Sequence, residues 1–251
     1  MSDPLVKMRA ITKRFGGVTA LSGVDLDAHA GEVLAIVGDN GAGKSTLIKI
    51  LTGVYQPTEG EIFLDGEQVI FASHAEAIER GIDAVYQTLA LADHLTPAAN
   101  MFLGNELTRS FLGIRFLDNK RMKTETERVL MERLGVTLKS LDAPTESLSG
   151  GQRQAVAIAR AVYQERLRVL VMDEPTAALG PQETARTLKL IKTLKAQGLA
   201  VILISHSLDD VFEVSDRVHV QRRGQCAGVV HTAESSTQEV LGLIVGAEEP
   251  A

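Results

Sequence analysis

Eight consecutive residues, Gly38-Asp39-Asn40-Gly41-Ala42-Gly43-Lys44-Ser45, fit the pattern G-x-x-x-x-G-K-[ST]. They stand between a short β-branched run, VLAIV, and a helical pattern that opens at Ser45. No other feature restricts the fold as much. Glycines at 38, 41 and 43 let the backbone curl without Cβ clashes, so successive N–H groups can point inward at phosphate oxygens while the helix amino terminus adds its dipole. Lys44 then places a point charge on the β- and γ-phosphates, the Ser45 hydroxyl can ligate Mg²⁺, and Thr46 continues the same binding segment. The competing reading is a plain glycine-rich turn before a helix. The length of the pattern and its strand and helix flanks favour nucleotide phosphate binding.

Two further runs, VLVM at 169–172 and VILI at 201–204, repeat the strand-then-helix order. Short, β-branched and bounded by polar residues, they suit strands buried on both faces of a parallel sheet. Helical patterns follow at 45–51, 183–195 and 208–214, so the chain reads as an α/β fold with functional loops beyond the carboxyl ends of its strands. Residues 5–28 and 61–71 alternate as shorter strands with turns at Gly16-Gly17 and Asp65-Gly66, which predicts an antiparallel layer. Between Thr88 and Gln164 the strand signal fades, and helical patterns at 123–134 and 152–162 predict a helical insertion. A short apolar helix is expected at 238–245, before an acidic, proline-ending tip that should fray.

Composition narrows the classes. The 251 residues carry a net charge of −6 and are 45% hydrophobic, enough to bury one sizeable core. The longest apolar run, 199–204, has six residues against the roughly 20 that a helix needs to cross a bilayer. The first residues lack a signal-peptide pattern and the single Cys226 allows no intrachain disulfide, so a cytoplasmic setting is expected. The acidic balance argues against a nucleic-acid partner.

The run VLVM ends in Asp173-Glu174, and two adjacent acids at the tip of a buried strand are costly unless they face cations or water. Asp173 fits a Mg²⁺ holder and Glu174 fits a general base that polarises an attacking water; a solvated strand end turning at Pro175 is the bland reading. Upstream, Leu148-Ser149-Gly150-Gly151-Gln152 opens another helical pattern and forms a second anion nest. One γ-phosphate needs only one cradle. The residues alone leave two readings open: a helix cap with a flexible approach, or a site for a nucleotide held by another copy.

The phosphate loop, LSGGQ and DEPT in this order and spacing, with Gln87 between and His206 after, resemble the ATPase subunit of an ATP-binding cassette (ABC) transporter over nearly the whole chain. The resemblance implies a P-loop NTPase of one domain, 1–251. Its RecA-like parallel-sheet core spans about 1–87 and 165–251 with an antiparallel β subdomain, and a helical subdomain spans about 88–164. It also implies two cassettes closing head to tail as a homodimer, with ATP between the phosphate loop of one and Ser149, Gly150, Gly151 and Gln152 of the other. Phe15 matches the aromatic that stacks on adenine, and Val18 adds apolar contact. Gln87 matches the glutamine that reaches Mg²⁺ and water, and His206 the switch histidine on the γ-phosphate. The family's usual Ser-Ala-Leu-Asp after Glu-Pro-Thr is replaced by Ala177-Ala178-Leu179-Gly180-Pro181, which removes an Asp that links the two sites.

The stretches AVYQTLAL at 84–91 and NMFLGNE at 100–106 are similar to cassettes of bacterial monosaccharide importers for ribose, xylose or fructose. The implied function is MgATP hydrolysis coupled to solute import by a separate integral membrane permease and, indirectly, a solute-binding protein. The chain would then sit on the cytoplasmic face of the cell membrane. The rival readings are a non-transport cassette acting on nucleic acid or ribosomes, an ABC transporter for another solute, a GTPase or small-molecule kinase, and an ATP-sensing module. Asn119-Lys120 is followed by Arg121-Met122, which breaks the guanine-reading pattern.

Overall fold

The computed structural model describes residues 3–177 and 179–246, so the expected tip at 247–251 and Ala178 lie outside the described residues. In chain order the elements are β1 (Val6–Phe15), β2 (Val18–Ala28), β3 (Val33–Val37), α1 (Lys44–Leu51), β4 (Glu59–Leu64), β5 (Glu67–Val69), α2 (His74–Glu79), β6 (Ile82–Val85), α3 (Pro97–Met101), β7 (Thr108–Phe111), β8 (Ile114–Leu117), α4 (Asn119–Arg128), α5 (Gly150–Val162), β9 (Val169–Asp173), α6 (Pro181–Ala196), β10 (Ala200–Ile204), α7 (Leu208–Val214), β11 (Arg217–Arg222), β12 (Gln225–His231) and α8 (Thr237–Val245).

The three β-branched runs become β3, β9 and β10 at the centre of a six-stranded sheet of order β12-β11-β3-β10-β9-β6. Strands β11, β3, β10, β9 and β6 run parallel, and β12 closes the edge antiparallel. Every residue of β3 and β10 is buried, which is why these runs lack polar alternation. The two faces still separate by parity. Leu34, Ile36, Val171, Ile202 and Ile204 pack with α1 and the antiparallel layer, whereas Val33, Leu170, Met172, Val201 and Leu203 pack with α5 and α6.

The amino-terminal layer is antiparallel, with order β2-β1-β4-β5. Residues 88–164 differ from the all-helical expectation in two places. A hairpin, β7–β8, occupies 108–117, and the helical pattern at 123–134 is split into α4 and a single π turn, Val129–Arg133. All eight strand residues of the hairpin are exposed, so no buried face imposes the period-2 pattern by which a strand is recognised. Its turn residues Leu112 and Gly113 both have positive φ, 50° and 81°, the geometry of a tight two-residue loop written without its usual Asn-Gly.

Parallel register fixes where the chemistry lies. Ile204 pairs with both Asp173 and Ile36, and Val85 pairs with Met172, so β3, β10, β9 and β6 end at one level. The loops after these four adjacent strands converge on a single edge of the sheet.

Candidate functional site

The loop from Gly38 to Gly43 leaves β3 and enters α1. Gly38, Gly41 and Gly43 have φ of 144°, 80° and 104°, conformations that side-chain-bearing residues rarely adopt. The glycines also answer to space: a Cβ on Gly38 would collide with the backbone oxygen of Gln221, and one on Gly43 would lie 2.7 Å from Leu21 Cδ2 and 2.8 Å from the Ala20 oxygen. Helices α2, α3, α4, α5, α7 and α8 each begin with a Ser, Thr or Asp side chain accepting from a first-turn N–H. Helix α1 begins at Gly43 with no side-chain cap. Its first N–H groups are therefore available to an external anion.

Lys44 is only 7% exposed, and its Nζ donates to the Gly38 and Asp39 carbonyl oxygens at 2.6 and 3.0 Å, spanning the loop from inside. Burial pushes the ammonium below its usual value, while Glu174, Asp173 and Asp39 oppose that shift in decreasing order.

Facing the loop, the end of β9 presents two acids. Burial raises the Asp173 carboxyl above the ordinary range, and Lys44, Lys49 and His206 pull it back. Glu174 is raised for the same leading reason, with His206 opposing. Its backbone has φ of 52°, a left-handed conformation for a non-glycine residue, and its N–H donates to the Ile204 oxygen at 2.9 Å. The side chain is 14% exposed, and its Oε1 lies 3.2 Å from His206 Nε2. That pair is at ion-pair distance but not aligned for a hydrogen bond, and Oε1 has no hydrogen-bond partner.

An open cleft of about 300 Å³ gathers Asn40, Gly41, Ala42, Gly43, Lys44, Ser45, Thr46, Gln87, Asp173, Glu174 and His206, with Ala20 and Ile204 at its walls. Gly38 and Asp39 do not line the cleft; their carbonyl oxygens hold the Lys44 ammonium. A basic, N–H-rich cradle opposite two carboxylates, an amide and an imidazole can hold a polyphosphate and deprotonate a water beside it.

Residues 21–177 match the protein-family model described as ABC transporter. The chain belongs to the ABC transporter family. The cassette is 43% identical to the fructose import ATP-binding protein of Rhizobium meliloti, covering 99% of this chain and 96% of that protein. It is 42% identical to the xylose/arabinose import ATP-binding protein of Sulfolobus acidocaldarius, at 97% and 94% coverage. The ribose import ATP-binding protein of Yersinia pestis is 45% identical over 97% of this chain, which spans only 46% of that relative's length. Among solved structures, an ATP-binding cassette of an ABC transporter in its ADP conformation superposes with a TM-score of 0.80 at 27% identity, covering 98% of this chain and 96% of the other. A dimeric cassette in a post-hydrolysis state bound to ADP and Pi gives 0.74 at 27% identity, with 90% and 98% covered.

The cassette keeps the other expected residues outside the cleft. Phe15 ends β1, pairs with Val18 across the turn, and meets Tyr55 edge-on at 5.3 Å with Lys13 Nζ 5.1 Å above its ring. It is 43% exposed, and Val18 lies on the same face of β2 as Ala20 at the cleft wall. Tyr55, the partner of Phe15, carries no sequence signal of its own, because it sits in a loop after α1.

Ser149 is the N-cap of α5. Its Oγ accepts from Gln152 N–H at 3.4 Å, and Gln152 Oε1 accepts from Ser149 N–H at 3.1 Å. The nest is thus a genuine helix cap. Sequence reading missed its neighbour Glu183 on α6, which lies against it: a Cβ on Gly151 would be 3.4 Å from Glu183 Cβ. The Ser149 hydroxyl first, then the Gly180 and Gly151 N–H groups, hold the Glu183 carboxyl below its usual range. Gly180, which stands where the family has Asp, is the N-cap residue of α6.

Proposed function

We propose that this cassette is the ATP-hydrolysing subunit of a membrane importer for a monosaccharide, acting as a homodimer beneath an integral membrane permease. The cleft shared by the phosphate loop, Gln87, Asp173, Glu174 and His206 carries the reading. The import proteins for fructose and for xylose/arabinose, matched over nearly their whole length, support the solute class. A dimeric cassette among the similar structures supports the assembly. The placement follows from the same reading: a peripheral position on the cytoplasmic face, with an extracytoplasmic solute-binding protein reached through the permease. No helix among the described residues is long and apolar enough to cross a membrane.

In this mechanism the loop N–H groups and Lys44 hold the β- and γ-phosphates, while Phe15 and Val18 receive the adenine. Glu174 takes a proton from a water whose oxygen attacks the γ-phosphorus; the bond from that phosphorus to the β–γ bridging oxygen breaks, and ADP and phosphate leave. His206 and Lys44 stabilise the charge on the transferring group. Ser149, Gly150, Gly151 and Gln152 meet the phosphate held by the second copy.

The donor set for a metal fits Mg²⁺. Ser45, Asp173 and Gln87 offer oxygen atoms, and the described residues contain no cluster of three or more His, Cys, Asp or Glu groups, so phosphate and water would complete the shell. Magnesium would draw charge from the phosphate oxygens when bound. The test is ATP hydrolysis by the cassette co-purified with its permease in lipid, with labelled monosaccharides supplied. Turnover that follows monosaccharide uptake supports the proposal, and turnover indifferent to the permease overturns it.

A further inference from the structure

The hairpin β7–β8 plays no part in the nucleotide cleft. Its two strands pair only with each other, and both faces of the ribbon are exposed. A two-stranded ribbon with no covered face is marginal in water, which points to an occupant outside the chain.

The register identifies that occupant. Phe111 pairs with Ile114 beside the turn, Ser110 with Arg115 one rung back, and Arg109 with Phe116 a further rung back. Cross-strand partners share a face and successive rungs alternate, so Arg109, Phe111, Ile114 and Phe116 lie on one face and Arg115 on the other. The leading end is apolar: Phe111 is 67% exposed, Leu112 87% and Ile114 59%. The arginines stand about 3 and 7 Å behind it, at the rise of a β-strand.

Charge points the same way. The ribbon carries two arginines and no carboxylate in a chain of net charge −6. The two acids at its root, Glu106 and Asp118, lie at the end of the ribbon away from the Leu112-Gly113 turn, and Lys120 and Arg121 follow them in the chain. A flat protein surface would cover one face and leave a cation and an apolar residue on the other. A medium entered tip first covers both.

We propose that this hairpin is an anchor for an anionic lipid surface. Phe111, Leu112 and Ile114 enter the boundary of the acyl layer, about 5–10 Å deep, and Arg109 and Arg115 bind headgroup phosphates from opposite faces of the ribbon. The proposal stands on the hairpin alone and is independent of hydrolysis.

The chain has no tryptophan, so Leu112→Trp introduces a single reporter at the tip. The full chain is mixed, without nucleotide, with phosphatidylcholine vesicles that either contain or lack phosphatidylglycerol. The expected result is a blue shift and co-sedimentation only with the anionic vesicles. Each of Arg109→Gln and Arg115→Gln should weaken binding about fivefold, and Leu112→Ser about tenfold or more, with ATP hydrolysis unchanged. Three results would each overturn the proposal: no blue shift on anionic vesicles, equal binding by the variants, or capture of a permease in detergent that depends on the hairpin without any lipid binding.

Discussion

His206 Nε2 stands 3.2 Å from Glu174 Oε1, and that oxygen, although buried, makes no hydrogen bond. The Glu174 side chain as a whole is 14% exposed and lines the cleft with His206 and the uncapped start of α1, so its carboxylate is placed to accept a proton from a water bound in that cleft. Glu174→Gln preserves the volume and removes the base. Turnover should fall by about 10² to 10⁴ while ATP affinity stays within a few-fold, as measured by single-turnover hydrolysis and equilibrium nucleotide binding. Unaltered turnover would take Glu174 out of the chemistry.

Burial raises the Glu174 carboxyl above its usual value of 4.5, and His206 draws it back. The group works only when ionised, so the acid limb of the rate profile should lie above the ordinary glutamate range. His206→Gln should move it to still higher pH. Stability follows the opposite preference. A carboxyl with a raised folded value favours the fold when protonated, so its contribution is complete below 4.5 and is lost as pH rises through the folded value. Melting temperatures of wild type and Glu174→Gln should converge in acid, with the variant the more stable at neutral pH. A variant less stable at neutral pH contradicts the assignment.

The phosphate loop permits a ranking by backbone and space. Gly41 has φ of 80° with nothing within 4 Å of a built Cβ, whereas Gly43 has φ of 104° and would press on Leu21 and on the Ala20 oxygen. Gly41→Ala should cost about 1 kcal/mol from backbone strain alone. Gly43→Ala should cost about 2 kcal/mol or more, because strain and overpacking add. Urea unfolding of both variants gives the order, and equal losses would show that the loop relaxes around position 43.

The parts of this cassette readable from its sequence are those where one physical demand dominates. Strands β3 and β10 and the first four residues of β9, buried on both faces, cannot carry polar residues, and α7 spans 208–214 as its helical pattern predicts. The hairpin β7–β8 escaped because nothing buries it, and the β11–β12 pair because His219 and Gln221, although buried, interrupt an apolar run by bonding to each other at 2.9 Å. At the site, Lys44, Asp173 and Glu174 announce themselves by spacing. Glu183 does not, since its placement against Ser149 depends on the packing of α6 on α5, which no local pattern encodes.

Glu183 carries the last prediction. It sits at the third position of α6, 3.5 Å from the Gly180 N–H, so one role is to cap that helix. It also lies against Ser149 and Gly151, where a second copy's phosphate would arrive under the proposed assembly. A carboxylate there opposes a phosphate, while the amide in Glu183→Gln keeps an oxygen for the cap and loses the charge. In the slow Glu174→Gln background, Glu183→Gln should strengthen ATP-dependent dimerisation about fivefold, the size of one like-charge contact at a surface. Sedimentation of both proteins over a range of ATP concentrations measures the effect. An unchanged dimer fraction with unchanged melting temperature would leave Glu183 as a helix cap alone, and a weakened dimer would mean that its charge helps to organise Ser149 for the incoming phosphate.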